Sequence, residues 1–359
     1  MKGLILSGGA GTRLRPITHT NAKQLVPIAN KPILFYGIEG LVKAGITDIG
    51  IIIGETGNEI QRAVGDGSFW NAKITYIQQE QPLGLAHCVL IAKEFLGDDD
   101  FMMHLGDNML EQEPAILVEK FIDDRTNMDL DCRILLKEVQ NPSSFGIATI
   151  GKDGEVTKLV EKPKNPSSNL ALVGVYLFTR SIHTAVEHIT PSNRGELEIT
   201  DAIQWLIDDG NTVDHDLLKG WWIDTGKKDP LLDCNRLVLD SVETSIDDSC
   251  IVDVHSSTTG PIVIGRNSSI TNSTIKGPVA IGENVIIQNS EIGPYVSIGD
   301  NCSVEDTHID NSVILQNCLI RGSGWITTSL LGRSCSVTTS NDSESIVLML
   351  GDDSVVELS

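Results

Sequence analysis

The chain has 359 residues and a formal net charge of −22, from 49 acidic and 27 basic side chains. This length predicts two domains, because a single hydrophobic core rarely grows so large. The acidic balance argues against nucleic acid or an anionic membrane as a partner. An anionic small substrate stays possible only where cations are concentrated locally.

The apolar runs and the cysteines indicate the cellular compartment in which the protein is expected. The longest apolar runs, such as Ile346–Leu350, are far too short to cross a bilayer, and the N-terminus shows no cleavable signal. The seven cysteines are scattered and form no C-x-x-C pair, which indicates reduced thiols instead of disulfides or a zinc site. We therefore expect a cytoplasmic protein without a membrane partner.

Residues 1 to about 235 alternate between short apolar strands and amphipathic helices, a pattern typical of an α/β domain with a mostly parallel sheet. Ligands in such sheets bind at the carboxyl ends of strands, here Ser7–Gly8, Gln78–Gln79 and Gly106–Asp107. The predicted strands are Gly3–Ser7, Asp48–Ile53, Lys73–Gln78, Phe101–Leu105, Cys132–Val139 and Ala171–Phe178, and the predicted helices are Ile33–Ala44, Leu85–Phe95, Ala115–Arg125 and Glu198–Asp208.

From about residue 250 a repeat replaces the helical pattern. Ile-Gly pairs recur at a constant spacing, at Ile264, Ile281 and Ile298, and aliphatic residues between them keep the same step. One coil cannot bury its aliphatics alone, whereas stacked coils form a continuous core, so the repeat predicts a parallel β-helix. The repeat resembles the hexapeptide repeats of left-handed β-helices. The register slips after Ile309, and "LGDDSVVEL" is expected to cap the last coil. The predicted domains are 1–235, a linker 236–249, and a β-helix over 250–359.

A glycine-rich loop follows the first strand, and no acidic residue occurs before Glu39. Glycines let backbone N–H groups curl around phosphate oxygens, although the same run also suits a plain strand-exit turn. Arg13 and Lys23 follow without neighbouring acids and favour a polyphosphate ligand. Arg15 and Lys31 are expected to be solvated surface.

The stretch "GGAGTRLRPITHTNAKQLVPIANKPILFY" resembles the signature of the sugar-1-phosphate nucleotidylyltransferases. Within that family the likeness is closest to the glucose-1-phosphate thymidylyltransferases, in their long form with an appended left-handed β-helix, and it covers essentially the whole chain. The resemblance implies a Rossmann-like nucleotide-diphospho-sugar transferase domain. It also implies Mg²⁺-dependent, in-line transfer of dTMP from dTTP to glucose 1-phosphate, with release of pyrophosphate.

Two carboxylates far apart in the sequence, Asp107 and Asp224, each follow an apolar run and could share one Mg²⁺, although either alone would more often serve a turn or a helix cap. The resemblance implies that both bind the metal. It implies Arg13, Lys23 and Lys162 as catalytic residues. The nucleotide-binding residues would be Leu6, Gly8, Gly9, Gly11, Thr12, Arg13, Gln79, Gly84 and Asp107, and the sugar-phosphate residues Asn108, Gly146, Glu161, Lys162, Val173 and Arg194.

Several alternatives stay open. Gln79 suits a pyrimidine but does not distinguish thymine from uracil, so UTP could replace dTTP. His308 in the repeat could serve an acetyltransferase, although one such histidine is more often a surface residue. A non-catalytic relative would be expected to lack the cations or carboxylates that are present here. Trp221 and Trp222 could pack in the core or line the site, and the core is the first expectation. The acids of 196–201 are expected at a helix N-terminus, and the β-helix in a homo-oligomer.

Overall fold

The computed structural model describes residues 1–340 and 345–358. The chain divides into two compact units, and each contains two separate stretches of sequence. The sheet unit comprises Met1–Ala10 and Leu34–Ile223. The β-helix unit comprises Gly11–Ile33 and Asp224–Ser359. The cationic segment after the glycine-rich loop therefore groups with the repeat and not with the strand that precedes it.

The sheet unit is built from alternating strands and helices. Its strands are β1 (Lys2–Ser7), β4 (Asp48–Ile53), β5 (Lys73–Gln78), β6 (Phe101–Leu105), β7 (Asn108–Leu110), β8 (Leu130–Glu138), β9 (Gly146–Ile150), β10 (Val156–Glu161), β11 (Leu170–Phe178), β12 (Thr212–Leu217) and β13 (Trp222–Asp224). Its helices are α1 (Ile33–Lys43), α2 (Gly57–Val64), α3 (Leu85–Ile91), α4 (Lys93–Leu96), α5 (Pro114–Asn127), α6 (Ser181–His188) and α7 (Ile199–Asp208).

Nine of these strands form one sheet, in which β10, β9, β11, β6, β1, β4 and β5 follow one another and β8 pairs with β11 and β12. Strands β6, β1, β4 and β5 run parallel, which brings their carboxyl ends to one edge. Strand β11 is antiparallel to β6, so the sheet reverses direction beside β6. The short strands β7 and β13 form a separate pair.

The predicted strands and helices of this unit are confirmed, with bounds that differ by a few residues. One long predicted helix, Leu85–Phe95, is divided into α3 and α4 at Ala92. The core explains the strand positions, since residues such as Leu4, Ile5 and Phe101 are fully buried by helices that pack on the sheet. The apolar runs thus fix the strands, and the strands fix the edge at which ligands can bind.

The β-helix unit begins with β2 (Pro27–Ile28), β3 (Lys31–Pro32) and α8 (Lys228–Leu239). Its coils then run through β14 (Ser245–Ile246), β15 (Ile251–Val252), β16 (Ser257–Thr259), β17 (Ile262–Ile264), β18 (Ser269–Thr271), β19 (Thr274–Lys276), β20 (Val279–Ile281), β21 (Ile286–Gln288), β22 (Glu291–Ile292), β23 (Val296–Ile298), β24 (Ser303–Glu305), β25 (His308–Ile309), β26 (Val313–Ile314), β27 (Leu319–Gly322), β28 (Trp325–Ile326), β29 (Leu330–Leu331), β30 (Ser336–Thr339), β31 (Ser345–Ile346), β32 (Met349–Leu350) and β33 (Val355–Leu358).

These strands form three parallel sheets, one on each side of the coil, which bears out the predicted β-helix; the left-handed sense expected from the hexapeptide resemblance fits this arrangement. Ile264, Ile281 and Ile298 stack as one buried column. The register slip is a shortened coil, because Ile298 pairs with Ile314 and the step between them is one position shorter than in the preceding coils. Helix α8 ends at Leu239, within the predicted linker 236–249, and the first coil strand begins at Ser245, before the predicted start at 250.

Candidate active site

The sheet unit brings three predicted residues to the carboxyl edge of its parallel strands. Gly8 follows β1, Gln79 follows β5 and Asp107 comes shortly after β6. These strands are neighbours or next neighbours in the order β6, β1, β4, β5. The predicted edge therefore carries residues from several distant segments, as expected for a ligand site of an open α/β sheet.

Gln79 is held in a defined orientation at this edge. Its side chain is nearly buried, and its backbone N–H donates to the carbonyl of Ile53 at 2.8 Å. The Gln79 amide nitrogen lies 3.1 Å from Nδ1 of His87. Burial lowers the pKa of His87, so the ring is neutral near pH 7 and Nδ1 can accept from the amide. A Cβ at Gly8 would lie 2.9 Å from the Gln79 Oε1, so the glycine leaves room for that oxygen.

His87 is a residue that sequence reasoning missed. It lies in the first turn of α3, shortly after Gly84, and nothing in its sequence neighbourhood distinguishes it from a surface histidine. Gly84 has φ of 105°, and a Cβ there would lie only 2.4 Å from the carbonyl oxygen of Leu197. Only glycine fits this position. Leu6 and Gly9 complete the predicted nucleotide set in this unit: Leu6 is buried in β1, and Gly9 borders open space.

Asp107 is linked to a tryptophan through its neighbour Asn108. The Asn108 amide donates to Asp107 Oδ1 at 3.0 Å, and the indole Nε1 of Trp222 donates to Asn108 Oδ1 at 2.6 Å. The indole also packs on Phe145, with 5.1 Å between ring centroids. Trp222 is only partly buried. The expectation that it lies in the core is therefore wrong: its polar edge orients Asn108, which suits a side chain that is apolar except for one donor.

Several predicted sugar-phosphate residues lie where β9 begins and β10 ends. Gly146 and Glu161 are register partners across these strands, and a Cβ at Gly146 would lie 3.0 Å from Glu161 Oε2. Glu161 Oε1 lies 3.3 Å from both Lys162 Nζ and Arg194 Nη1. Lys162 itself adopts φ of 42°. Val173, also in the predicted set, is fully buried in β11, so its side chain packs in the core.

Arg194 is surrounded by carboxylates. In addition to Glu161, its guanidinium contacts Glu196 at 2.9 Å and Glu198 at 3.3 Å. Burial raises the pKa of Glu198, which also accepts a hydrogen bond from Ser192. Acids of 196–201 lie at a helix N-terminus as expected, with Glu198 at the N-cap of α7 and Asp201 in its first turn, but Glu198 makes no side-chain capping bond. Its carboxylate instead faces Arg194, because the charged partner satisfies it better than the helix amides.

The β-helix unit contains the other predicted cations. Gly11 has φ of 62° and precedes a short 3₁₀ turn, Thr12–Leu14, in which Thr12 and Arg13 are exposed. Lys23 is 5% exposed, and a Cβ at Gly11 would lie 2.9 Å from the Cβ of Lys23. The backbone between the two cations is thus folded back on itself.

Arg13 and Lys23 both reach the carboxylate of Asp224. Arg13 Nη2 lies 3.3 Å from Oδ2, and Lys23 Nζ lies 3.5 Å from Oδ1. The backbone N–H of Gly226 donates to Oδ1 at 2.9 Å. Two cations from near the start of the chain therefore share the charge of a carboxylate far along the sequence. Asp107 belongs to the sheet unit and Asp224 to the β-helix unit.

Within the described residues, no group of three or more histidine, cysteine or acidic side chains could hold a metal ion. No helix in that part of the chain is long and apolar enough to cross a membrane. His308 lies in β25, where its ring stacks on Trp325 and its Nε2 lies 3.7 Å from Glu291.

The comparisons with known proteins agree with this architecture. The family model described as "Nucleotidyl transferase" matches residues 2–241, and one described as "GMPPB C-terminal domain" matches residues 275–358. A glucose-1-phosphate thymidylyltransferase of Streptomyces antibioticus is 50% identical over all of this chain and 99% of its own. A low-salt glycan biosynthesis nucleotidyltransferase, Agl11 of Haloferax volcanii, is 47% identical over the full length of both chains.

A solved structure resembles part of the chain. The crystal structure described as a putative glucose-1-phosphate thymidylyltransferase from Bacillus anthracis has a TM-score of 0.62 and 33% sequence identity. The match covers 68% of this chain and 98% of that one.

Proposed function

This chain belongs to the nucleotidyl transferase family, among the glucose-1-phosphate thymidylyltransferases, and we infer that it transfers dTMP from dTTP to glucose 1-phosphate. The products are dTDP-glucose and pyrophosphate. The observation that carries the assignment is full-length similarity to the Streptomyces antibioticus enzyme, at 50% identity. UTP in place of dTTP is the alternative within the same family.

A phosphate oxygen of glucose 1-phosphate attacks the α-phosphorus in line, and pyrophosphate leaves from the opposite side. The nucleophile is already an anion at pH 7, so no general base is needed. The protein contributes mainly position and charge neutralisation, as in other phosphoryl-type transfers. Gly8, Gly9 and Gly11 offer backbone N–H groups to the triphosphate, and Gln79 hydrogen-bonds the base.

The charged residues divide between the two substrates. Arg13 and Lys23 neutralise the triphosphate, and the ion pairs with Asp224 hold both cations in place before it binds. Lys162 orients the sugar phosphate, and Glu161 accepts from glucose hydroxyls. Arg194, which pairs with three carboxylates, exchanges one of them for the sugar phosphate.

Enzymes of this family depend on a divalent metal, and we propose Mg²⁺ with Asp107 and Asp224 as its protein ligands. Mg²⁺ typically takes one or two carboxylates and completes its shell with substrate phosphates and water. The donor set fits that habit, since Asp107 and Asp224 would supply two carboxylates. The bound ion would neutralise charge on the α-phosphate.

The experiment is turnover of purified protein with glucose 1-phosphate and Mg²⁺, with dTTP and UTP supplied in turn and pyrophosphate measured. We expect turnover with dTTP that a chelator abolishes and added Mg²⁺ restores. Failure with both dTTP and UTP would contradict the proposed function.

Arg13→Ala tests the assignment of the cationic segment. It is expected to lower kcat/KM by about 10²-fold or more, the scale of lost electrostatic stabilisation in other enzymes. Arg15→Ala is the matched control, because Arg15 is exposed and forms no ion pair among residues 1–340 and 345–358. Equal activity in the two folded variants would contradict the role of Arg13.

The cytoplasmic location and the homo-oligomer that we expected from the sequence stay predictions, and the β-helix is the surface on which we propose that copies assemble.

A further inference from the structure

The last coil of the β-helix is tied to the segment that carries Arg13 and Lys23. Asp352 follows β32, and its Oδ2 accepts from the Thr20 hydroxyl at 2.9 Å and from the Asn21 amide at 2.8 Å. Its other oxygen accepts from the backbone N–H of Arg333 at 2.8 Å. One carboxylate thus joins a coil near the end of the chain to residues near its start.

The backbones also approach closely at this point. A Cβ at Gly351 would lie 3.1 Å from the carbonyl oxygen of Pro16, which is tighter than ordinary van der Waals contact. The coil therefore contacts the segment through both a glycine and a charged side chain. Both residues belong to the stretch "LGDDSVVEL", which the sequence predicts only as a cap of the repeat.

Thr20 and Asn21 lie between the two cations, in a part of the segment that is internally hydrogen-bonded. Asn21 is 2% exposed, and its amide also donates to the carbonyl of Ile17. The Thr18 hydroxyl donates to the carbonyl of Gly11 at 2.8 Å. Lys23 follows Asn21 closely in the sequence and is itself buried. A shift at Asn21 therefore moves the backbone from which Lys23 extends.

We propose that Asp352 is a positioning residue for triphosphate binding: it fixes Thr20 and Asn21, and through them the cations Arg13 and Lys23. A carboxylate suits this role because it only accepts, so one oxygen sets the direction of both donors. The proposal rests on the proposed function, in which Arg13 and Lys23 bind the triphosphate. It makes the end of the β-helix part of the scaffold that holds these two cations.

The test compares Asp352→Asn with Asp353→Asn. Both variants lose one negative charge in the same turn, but the Asp353 side chain makes no hydrogen bond to the segment among the described residues. Asp352→Asn is expected to raise the KM for dTTP about 10-fold, the scale of a lost hydrogen bond to a charged group. The KM for glucose 1-phosphate should change less than about twofold. Asp353→Asn should behave as wild type.

A purely structural role for Asp352 would lower kcat through the fraction of folded enzyme and leave both KM values unchanged, and that result overturns the proposal. Thr20→Val removes one donor from the opposite side of the contact. It should weaken dTTP binding less than Asp352→Asn, and the effects in the double variant should not add. Additive effects would also overturn the proposal.

Binding of inorganic triphosphate, measured by calorimetry, separates this inference from the proposed function. Weaker binding by Asp352→Asn than by Asp353→Asn supports the positioning role, and equal binding overturns it. If wild type binds triphosphate but turns over neither dTTP nor UTP, the proposed function fails. The comparison of triphosphate binding between Asp352→Asn and Asp353→Asn still tests the positioning role of Asp352.

Discussion

At the scale of single residues, the orientation of Gln79 depends on the protonation of His87. The amide donates to Nδ1 only while the ring is neutral, and burial lowers the pKa of His87 below its ordinary value of 6.5. A protonated ring would present a donor to the amide nitrogen. The Gln79 amide would then rotate and offer the wrong edge to the base.

We therefore predict that the KM for dTTP is constant between pH 8 and about 6.5 and rises as the pH falls further, because His87 gains its proton only below its unperturbed pKa. His87→Gln should lose this added rise, since a glutamine does not titrate. The phosphate of dTTP also titrates in this range and affects both enzymes alike. The relevant measure is therefore the ratio of the KM for dTTP of wild type to that of His87→Gln. A ratio that stays constant down to pH 5 would contradict the role of His87.

Side-chain contacts such as that between Gln79 and His87 are the part of the site that the sequence could not predict. The glycines and Asp107 could be placed because they follow apolar strands whose ends must meet at one edge. The contact between Gln79 and His87, and that between Trp222 and Asn108, depend on side-chain directions that no periodicity encodes. Arg194 could be chosen by resemblance, but its three carboxylate partners could not.

At the scale of elements, asparagines shape the corners of the β-helix. Asn267, Asn284, Asn301 and Asn317 occupy one corner with φ between 54° and 62°. Their side-chain amides form a ladder along the coils, with spacings of 3.1 to 3.3 Å. Asparagine adopts the left-handed conformation more readily than most residues, and its amide can both donate and accept. The corner thus combines backbone preference with stacking.

Replacing Asn301 separates these two contributions. Asn301→Gly removes the ladder bonds but keeps the backbone, whereas Asn301→Ala also forces alanine into the left-handed region at about 1 kcal/mol or more. We predict that Asn301→Ala lowers the free energy of unfolding by about 1 kcal/mol more than Asn301→Gly, measured by equilibrium urea denaturation. The loss in the glycine variant relative to wild type measures the ladder, and a glycine variant less stable than the alanine variant would contradict the predicted backbone cost at this corner.

The elements themselves were largely predictable. Strands β1, β4, β5 and β6 appear in the sequence as apolar runs, and the β-helix appears as a regularly spaced repeat. The prediction of the repeat is less regular after Ile309, because the coil between Ile298 and Ile314 is one residue shorter than the coils before it. The shorter coil interrupts the regular spacing in the sequence, but Ile298 and Ile314 still stack. Helix α8 is not among the predicted helices: it begins at Lys228, inside the predicted catalytic domain, and ends at Leu239, within the predicted linker.

At the scale of the whole molecule, each unit draws on separate stretches of the sequence. Segment Gly11–Ile33 groups with the β-helix because it makes specific contacts there: the Asn30 amide donates to the carbonyls of Ala280 and Ile298 at 3.2 and 2.8 Å. A linear reading places this segment with the strand that precedes it. Contacts between such distant parts of the chain leave no local signature, so the sequence could not predict this grouping.

Net charge is the remaining property of the whole chain, and its sign predicts how salt affects stability. With 49 acidic and 27 basic side chains, repulsion among carboxylates opposes folding at pH 7.5. Exposed ion pairs such as Arg266–Glu283 stabilise little, so their screening costs less than the repulsion that is relieved. Raising the ionic strength from 0.01 to 0.15 M shortens the Debye length from about 30 to about 8 Å.

We therefore expect the melting temperature at pH 7.5 to rise by about 1–2 °C over this range of sodium chloride, equivalent to about 1 kcal/mol for a chain of this size. Differential scanning calorimetry measures it, and the same salt series in potassium chloride checks that the effect is not specific to one cation. Near pH 5, close to the sequence pI of about 4.6, most of the net charge is lost and the rise should disappear. A melting temperature that falls with salt at pH 7.5 would mean that the ion pairs outweigh the repulsion.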